Sequence, residues 1–104
     1  MCFFDFCSLN LCSFRSTDIK YNVFTGAHLT NCNFSDSDIL HTNFNGIRGS
    51  KNTFNDSDLY FSCFVNSSME DVSFVDCNLK KVNYLNSKLK NVNFKYSNYE
   101  DAIY

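Results

Sequence analysis

The stretch Cys32–Phe44, CNFSDSDILHTNF, places Phe34, Ile39 and Phe44 five residues apart. Cys32, Ser37 and Thr42, all compact, each precede a large residue by two, and Asn33, Asp38 and Asn43 fill the places between. Two apolar or compact side chains flanking a polar one is the alternation of an extended strand with one face buried. A period of five, however, belongs to neither a helix at 3.6 nor a plain strand at 2. The chain must therefore turn once in every unit.

Counting in fives from Phe4 to Tyr104 meets a large apolar residue at twenty of twenty-one positions, and Gly49 is the exception. The second residue after the large one is Gly, Asn or Asp in eleven units, the types that turn a chain and tolerate positive φ. Each unit is predicted to be a short strand with two inward side chains, followed by a corner.

CNFSDSDILHTNF and the later VNYLNSKLKNVNF (Val82–Phe94) resemble the pentapeptide repeat proteins, and the resemblance runs through the whole chain without insertion. It implies an all-β, right-handed quadrilateral β-helix with four units per turn, about five coils in one domain spanning residues 1–104. Residues 20 apart should then stack. Phe4, Phe24, Phe44, Phe64 and Tyr84 share one column, and Phe14, Phe34, Phe54, Phe74 and Phe94 another. Leu9, Leu29, Met69 and Leu89 form a third; Ile19, Ile39, Leu59 and Leu79 form the fourth. With rungs about 4.8 Å apart, as between neighbouring strands, the stack should be roughly 25 Å long.

Composition agrees with a packed single unit. The 104 residues include no proline or tryptophan, three glycines, twelve phenylalanines and fifteen asparagines. That is too aromatic for disorder and too polar for a bilayer span of about 20 apolar residues. With no signal-peptide pattern at the N-terminus, a cytoplasmic location and no membrane partner are expected.

Cys2, Cys7, Cys12, Cys32 and Cys77 fall at the compact inward position, where cysteine serves as a small hydrophobe. Cys12 and Cys32 stack on adjacent coils with side chains pointing the same way, so a reduced pair is expected. Cys63 falls at an outward position and is expected to react first with thiol reagents. His28 and His41 lie on different sides of the square and cannot share a metal. No Cys-x-x-Cys pair, phosphate loop or nucleophile elbow is present. The expectation is a protein that is not an enzyme and needs no cofactor.

Function must then lie on the outside. Asp18, Asp38 and Asp58 stack in one outward column, and Asp36, Asp56 and Asp76 at the adjoining corner, making one acidic strip. At the other edge of that face lie Tyr21, His41 and Phe61, with Leu40 and Tyr60 beside them, a contiguous apolar edge. The opposite face carries His28, Arg48, Lys51, Lys88 and Lys90 among Glu70 and Asp71. Residues 1–76 hold nine acids and four bases, whereas residues 77–104 hold five bases and two acids. These features point to a rigid scaffold binding a protein partner through the Asp strip and aromatic edge. The family resemblance implies an alternative, since some pentapeptide repeat proteins imitate duplex DNA and bind DNA gyrase or related topoisomerases. Direct nucleic-acid binding is not expected from so sparse a basic face.

Two features remain. The repeat is in register from Cys2 to Tyr104 with no helical or charged cap evident, which predicts either a segment of a longer protein or self-association through open coil ends. At NGIRGSKNT (Asn45–Thr53) the usual small-then-large pair is inverted, with Ile47 at the compact position and Gly49 at the large one. Ile47 is expected to refill part of the lost volume, Arg48 to point outward, and the strand to bulge locally.

Overall fold

The computed structural model describes residues 3–104, so the inward placement expected of Cys2 lies outside the described residues. Five short strands stack in parallel: β1 (Ser8–Asn10), β2 (His28–Thr30), β3 (Arg48–Ser50), β4 (Ser68–Glu70) and β5 (Lys88–Lys90). Their register steps by 20 throughout, as in Leu9↔Leu29 and Met69↔Leu89. The other three sides repeat the step as single parallel bridges, among them Val23↔Asn43, Asn33↔Thr53 and Asp38↔Asp58. The fold is thus a four-sided β-solenoid, as the resemblance to the pentapeptide repeat proteins implies. The sides are numbered in chain order by their central residues, first (Phe24), second (Leu29), third (Phe34) and fourth (Ile39). The molecule measures 30 × 26 × 21 Å.

At several corners the large residue's carbonyl accepts a hydrogen bond three residues on, as from Ala27 N to Phe24 O at 3.0 Å, and at others that N–H donates instead to a side chain of the next coil, as from Thr42 N to Ser62 Oγ at 3.0 Å. Every fifth residue from Phe6 to Tyr96 has positive φ, between 53° and 70°. Positive φ at the third residue is the condition of a type II turn, which Gly and Asn meet at least cost. Gly26 shows a second reason for glycine, because a Cβ there would sit 2.7 Å from the ring of Phe6, which lies across it.

Inside, rings of the first side stack on one another, Phe24 on Phe44 at 5.0 Å and 10°. They meet those of the third side edge-on, Phe24 to Phe34 at 5.9 Å and 87°. Both geometries are favourable for aromatic quadrupoles. The compact inward positions close the backbone circuit: Ser57 Oγ donates to Phe34 O at 2.7 Å and accepts from Ser37 N at 3.1 Å.

The unit around Gly49 is regular, contrary to the expected bulge. β3 keeps the common register, Leu29↔Gly49↔Met69. Ile47 is buried as expected, but it is not the whole compensation. Asn52, at the next compact position, is also buried; its Nδ2 donates to Leu29 O at 2.8 Å and its Oδ1 accepts from Cys32 N at 2.9 Å. Together these side chains occupy the space of the missing one. A Cβ added to Gly49 would lie 3.0 Å from Asn52 Nδ2 and 3.8 Å from Ile47 Cδ1.

The last unit departs from the repeat. Tyr99, counted inward by spacing, is exposed in a 3-10 turn over Tyr99–Asp101. Asn98 Nδ2 donates to Asp101 Oδ2 at 3.3 Å there, and Lys81 N donates to Asp101 O at 2.9 Å. The turn forms the fourth side of the last coil and bonds to the coil before it, while the side chains of this last coil stay at least partly exposed.

Candidate interaction surface

The fourth side and its two corners hold all of the acidic and aromatic residues singled out by the sequence. At the corner between the third and fourth sides, Asp36, Asp56 and Asp76 adopt φ of 55°, 60° and 56°. Asp tolerates this region because its short side chain can bond locally. The bridges Asp18↔Asp38↔Asp58 then set three carboxylates in one outward column.

The strip is less acidic than its composition. Lys20 Nζ lies 3.3 Å from Asp18 Oδ2 and 3.7 Å from Asp38 Oδ2, and Arg15 Nε lies 3.5 Å from Asp36 Oδ2. The backbone N–H of Lys20 holds the Asp18 carboxyl below its ordinary range, with the Lys20 ammonium assisting. The same contact with Asp18 raises Lys20. Asp58 accepts from Asn78 Nδ2 at 3.0 Å and from Tyr60 N at 3.1 Å. Among the described residues Asp56, Asp58 and Asp76 have no cationic partner, so the uncompensated charge sits on the later coils. Neither Lys20 nor Arg15 was among the residues the sequence singled out.

At the other corner the aromatic edge is a continuous stack. The Tyr21 and His41 rings lie 5.3 Å apart at 11°, and those of His41 and Phe61 5.1 Å apart at 9°. Tyr60 packs edge-on to both His41 and Phe61, at 5.9 and 5.0 Å. Lys81 Nζ caps the stack, 5.1 Å from the Phe61 centroid, in cation–π geometry. Lys81 was not among the residues the sequence singled out, although it lies 20 beyond Phe61. Leu40 is half-buried beside the stack, whereas Tyr21 and Phe61 are 57% and 41% exposed.

Cys63 is not the outstanding thiol expected, because it is half-buried and burial pushes its thiol up. Cys7 and Cys12, on the first coil, are half-buried too. Cys32 and Cys77 are buried free thiols, and Cys77 is pushed up to about 12, chiefly by burial. Among the described residues no group of three or more His, Cys, Asp and Glu converges as a metal ion requires. No helix of the described residues is long and apolar enough to cross a membrane.

This architecture defines a β-solenoid built from five-residue units. The chain belongs to the pentapeptide repeat family: the family described as pentapeptide repeat region matches residues 27–103, and that described as pentapeptide repeats (8 copies) matches residues 4–36. No curated protein matches the sequence. Among solved structures it is similar to a pentapeptide repeat protein of the Arabidopsis thaliana thylakoid lumen. The two share 28% identity with a TM-score of 0.73 over 81% of this chain and 62% of that one. The chain thus spans under two thirds of that relative's length. The fold is shared with Rfr23 of the cyanobacterium Cyanothece (12% identity, TM-score 0.60, 99% of this chain and 88% of that one). It is shared as well with HetL of the cyanobacterium Nostoc (18% identity, TM-score 0.62, 96% and 48%), a protein involved in regulating heterocyst differentiation.

Proposed function

We propose that this chain is a non-catalytic scaffold that binds a protein partner across its fourth side. The partner is held between the carboxylates of Asp56, Asp58 and Asp76 and the aromatic edge of Tyr21, Leu40, His41, Tyr60 and Phe61. The observation that carries this reading is the stack at the corner. Tyr21, His41 and Phe61 all have left-handed backbone, with φ of 60°, 53° and 63°. That conformation costs an L-residue other than Gly, Asn or Asp roughly 1–2 kcal/mol. Every corner carries that conformation whatever its residue, Leu11 and Lys51 included, so what supports the reading is the contiguous stack of exposed rings at this one.

Charge complementarity specifies the partner as a segment with Lys or Arg beside a large apolar side chain. Selection of displayed peptides on the whole protein tests this. Enrichment of such sequences, with binding lost on combining Tyr60→Ser and Phe61→Ser, is the expected result. Equal binding by that double variant would move the interface elsewhere.

The alternative, imitation of DNA before a topoisomerase, draws on all six carboxylates of the Asp strip. Lys20 and Arg15 weaken it by pairing with three of them, and the net charge is only −2. A gyrase supercoiling assay separates the two, since inhibition by excess protein supports imitation. Self-association is a further reading, favoured by Phe3 and Leu11, 66% and 77% exposed on the first coil. Concentration-dependent light scattering supports it; a monomer at all concentrations opposes it.

A further inference from the structure

The second side, opposite the acidic strip, is an in-register sheet whose outward residues form two columns. One reads Ser8, His28, Arg48, Ser68, Lys88, and the other Asn10, Thr30, Ser50, Glu70, Lys90. Where small residues fall side by side, at Ser50 and Ser68, the surface sinks into an open dimple of about 360 Å³. Its walls include His28, Arg48, Lys88 and Lys90.

The charges around this dimple do not cancel. Glu70 pairs with Lys90, Oε1 to Nζ at 3.7 Å. Among the described residues Arg48 and Lys88 have no ion pair, and the hydroxyls of Ser50 and Ser68 make no hydrogen bond. Ser68 lies between Arg48 and Lys88 in the parallel register, one rung from each, so the two cations stand about 9.6 Å apart at their α-carbons. Both side chains are long enough to close over a small group seated on Ser68. Two unpaired positive charges and two free hydroxyl donors match a group with two negative charges and several acceptor oxygens. A guanidinium fork adds bidentate geometry that suits phosphate oxygens.

We propose that this dimple binds a dianionic phosphoryl group, the end of a small phosphate monoester, between Arg48 and Lys88 and over the hydroxyls of Ser50 and Ser68. Arg48 supplies the bidentate contact and Lys88 the second charge, while the Glu70–Lys90 pair walls the site on its far side. Monoanionic phosphodiesters leave one cation uncompensated and are the weaker ligands.

The test is an amide NMR titration of the whole chain at low ionic strength with phenyl phosphate, inorganic phosphate and a short DNA duplex. Saturable shifts centred on residues 48–50, 68 and 88 are expected with the first two. Tighter binding of phenyl phosphate assigns the ester as the natural form, and equal binding assigns free phosphate. Arg48→Gln or Lys88→Gln, both exposed and tolerable to the fold, should each weaken binding about tenfold or more, the scale of one charge-assisted contact. Lys95→Gln, on another side, should leave it unchanged. Shifts that never saturate, equal weakening by Lys95→Gln, or preference for the duplex would each overturn the proposal.

Discussion

The side-chain amide of Asn52 rests against Gly49 so closely that a Cβ on that glycine would lie 3.0 Å from Asn52 Nδ2. Gly49 is extended within β3, so its backbone would accept any residue, and the constraint is space alone. Gly49→Leu is therefore expected to destabilise the fold by overpacking, by about 1–3 kcal/mol. Adding Asn52→Ser and Ile47→Ala, which restore compact residues, should recover most of the loss. Denaturant unfolding of the single and combined variants measures the coupling, and strictly additive effects would mean the three residues do not share one volume.

Tyr84 is the residue of the first side whose ring carries a hydroxyl that finds no hydrogen-bond partner among the described residues. Tyr84→Phe should stabilise by about 1–3 kcal/mol, the usual cost of an unsatisfied buried polar group. Burial holds the phenol well above its ordinary value of 10.0. The folded state thus keeps this proton when the unfolded state has lost it, so stability falls as pH rises past the unfolded value near 10. The alkaline limb of a stability profile should be shallower in Tyr84→Phe, and an unchanged limb would contradict the burial.

The aromatic corner should be separable from stability. Phe61→Asn gives up stacking worth about 0.5–1.5 kcal/mol and relieves left-handed strain of similar size. Thermal melts of His41→Asn and Phe61→Asn are expected to fall within a few degrees of the parent, since a net change near zero moves the midpoint little. A collapse of either variant would make the stack a structural requirement.

Timed alkylation with peptide mapping should rank the thiols by coil. Cys7 and Cys12 are expected to react early, and Cys63 more slowly because burial disfavours its thiolate. Cys32 and Cys77 should react only on unfolding. Rapid native labelling of Cys77 would show that its coil opens locally.

The five-residue period carried the strands and corners, because one buried face repeated at constant spacing requires a turn in every unit, and the resemblance to the pentapeptide repeat proteins supplied the four units per coil that set the register. It failed where local partners decide. The spacing placed Tyr99 inward, whereas hydrogen bonds around Asn98 and Asp101 turn that unit outward. It read Gly49 against Ile47 alone, because Asn52 looks like any other polar residue until its amide is seen reaching Leu29 O. The aromatic edge was legible as a column, since Tyr21, His41 and Phe61 are 20 apart. The neutralising reach of Lys20 and Arg15 was not, because flexible side chains do not follow a lattice.

Each coil bonds only to the coils above and below it, as Phe34 N to Thr53 O and Thr53 N to Cys32 O illustrate. The molecule is accordingly a one-dimensional stack, and its grammar admits a single safe edit. Duplicating or removing 20 residues at a corner lengthens or shortens every column by one member and leaves each face its own chemistry. Adding one residue instead would shift every later position in the pentad, turning core side chains outward from that point on. Length can thus vary in whole coils, and the surface patterns act as a ruler with fixed graduations.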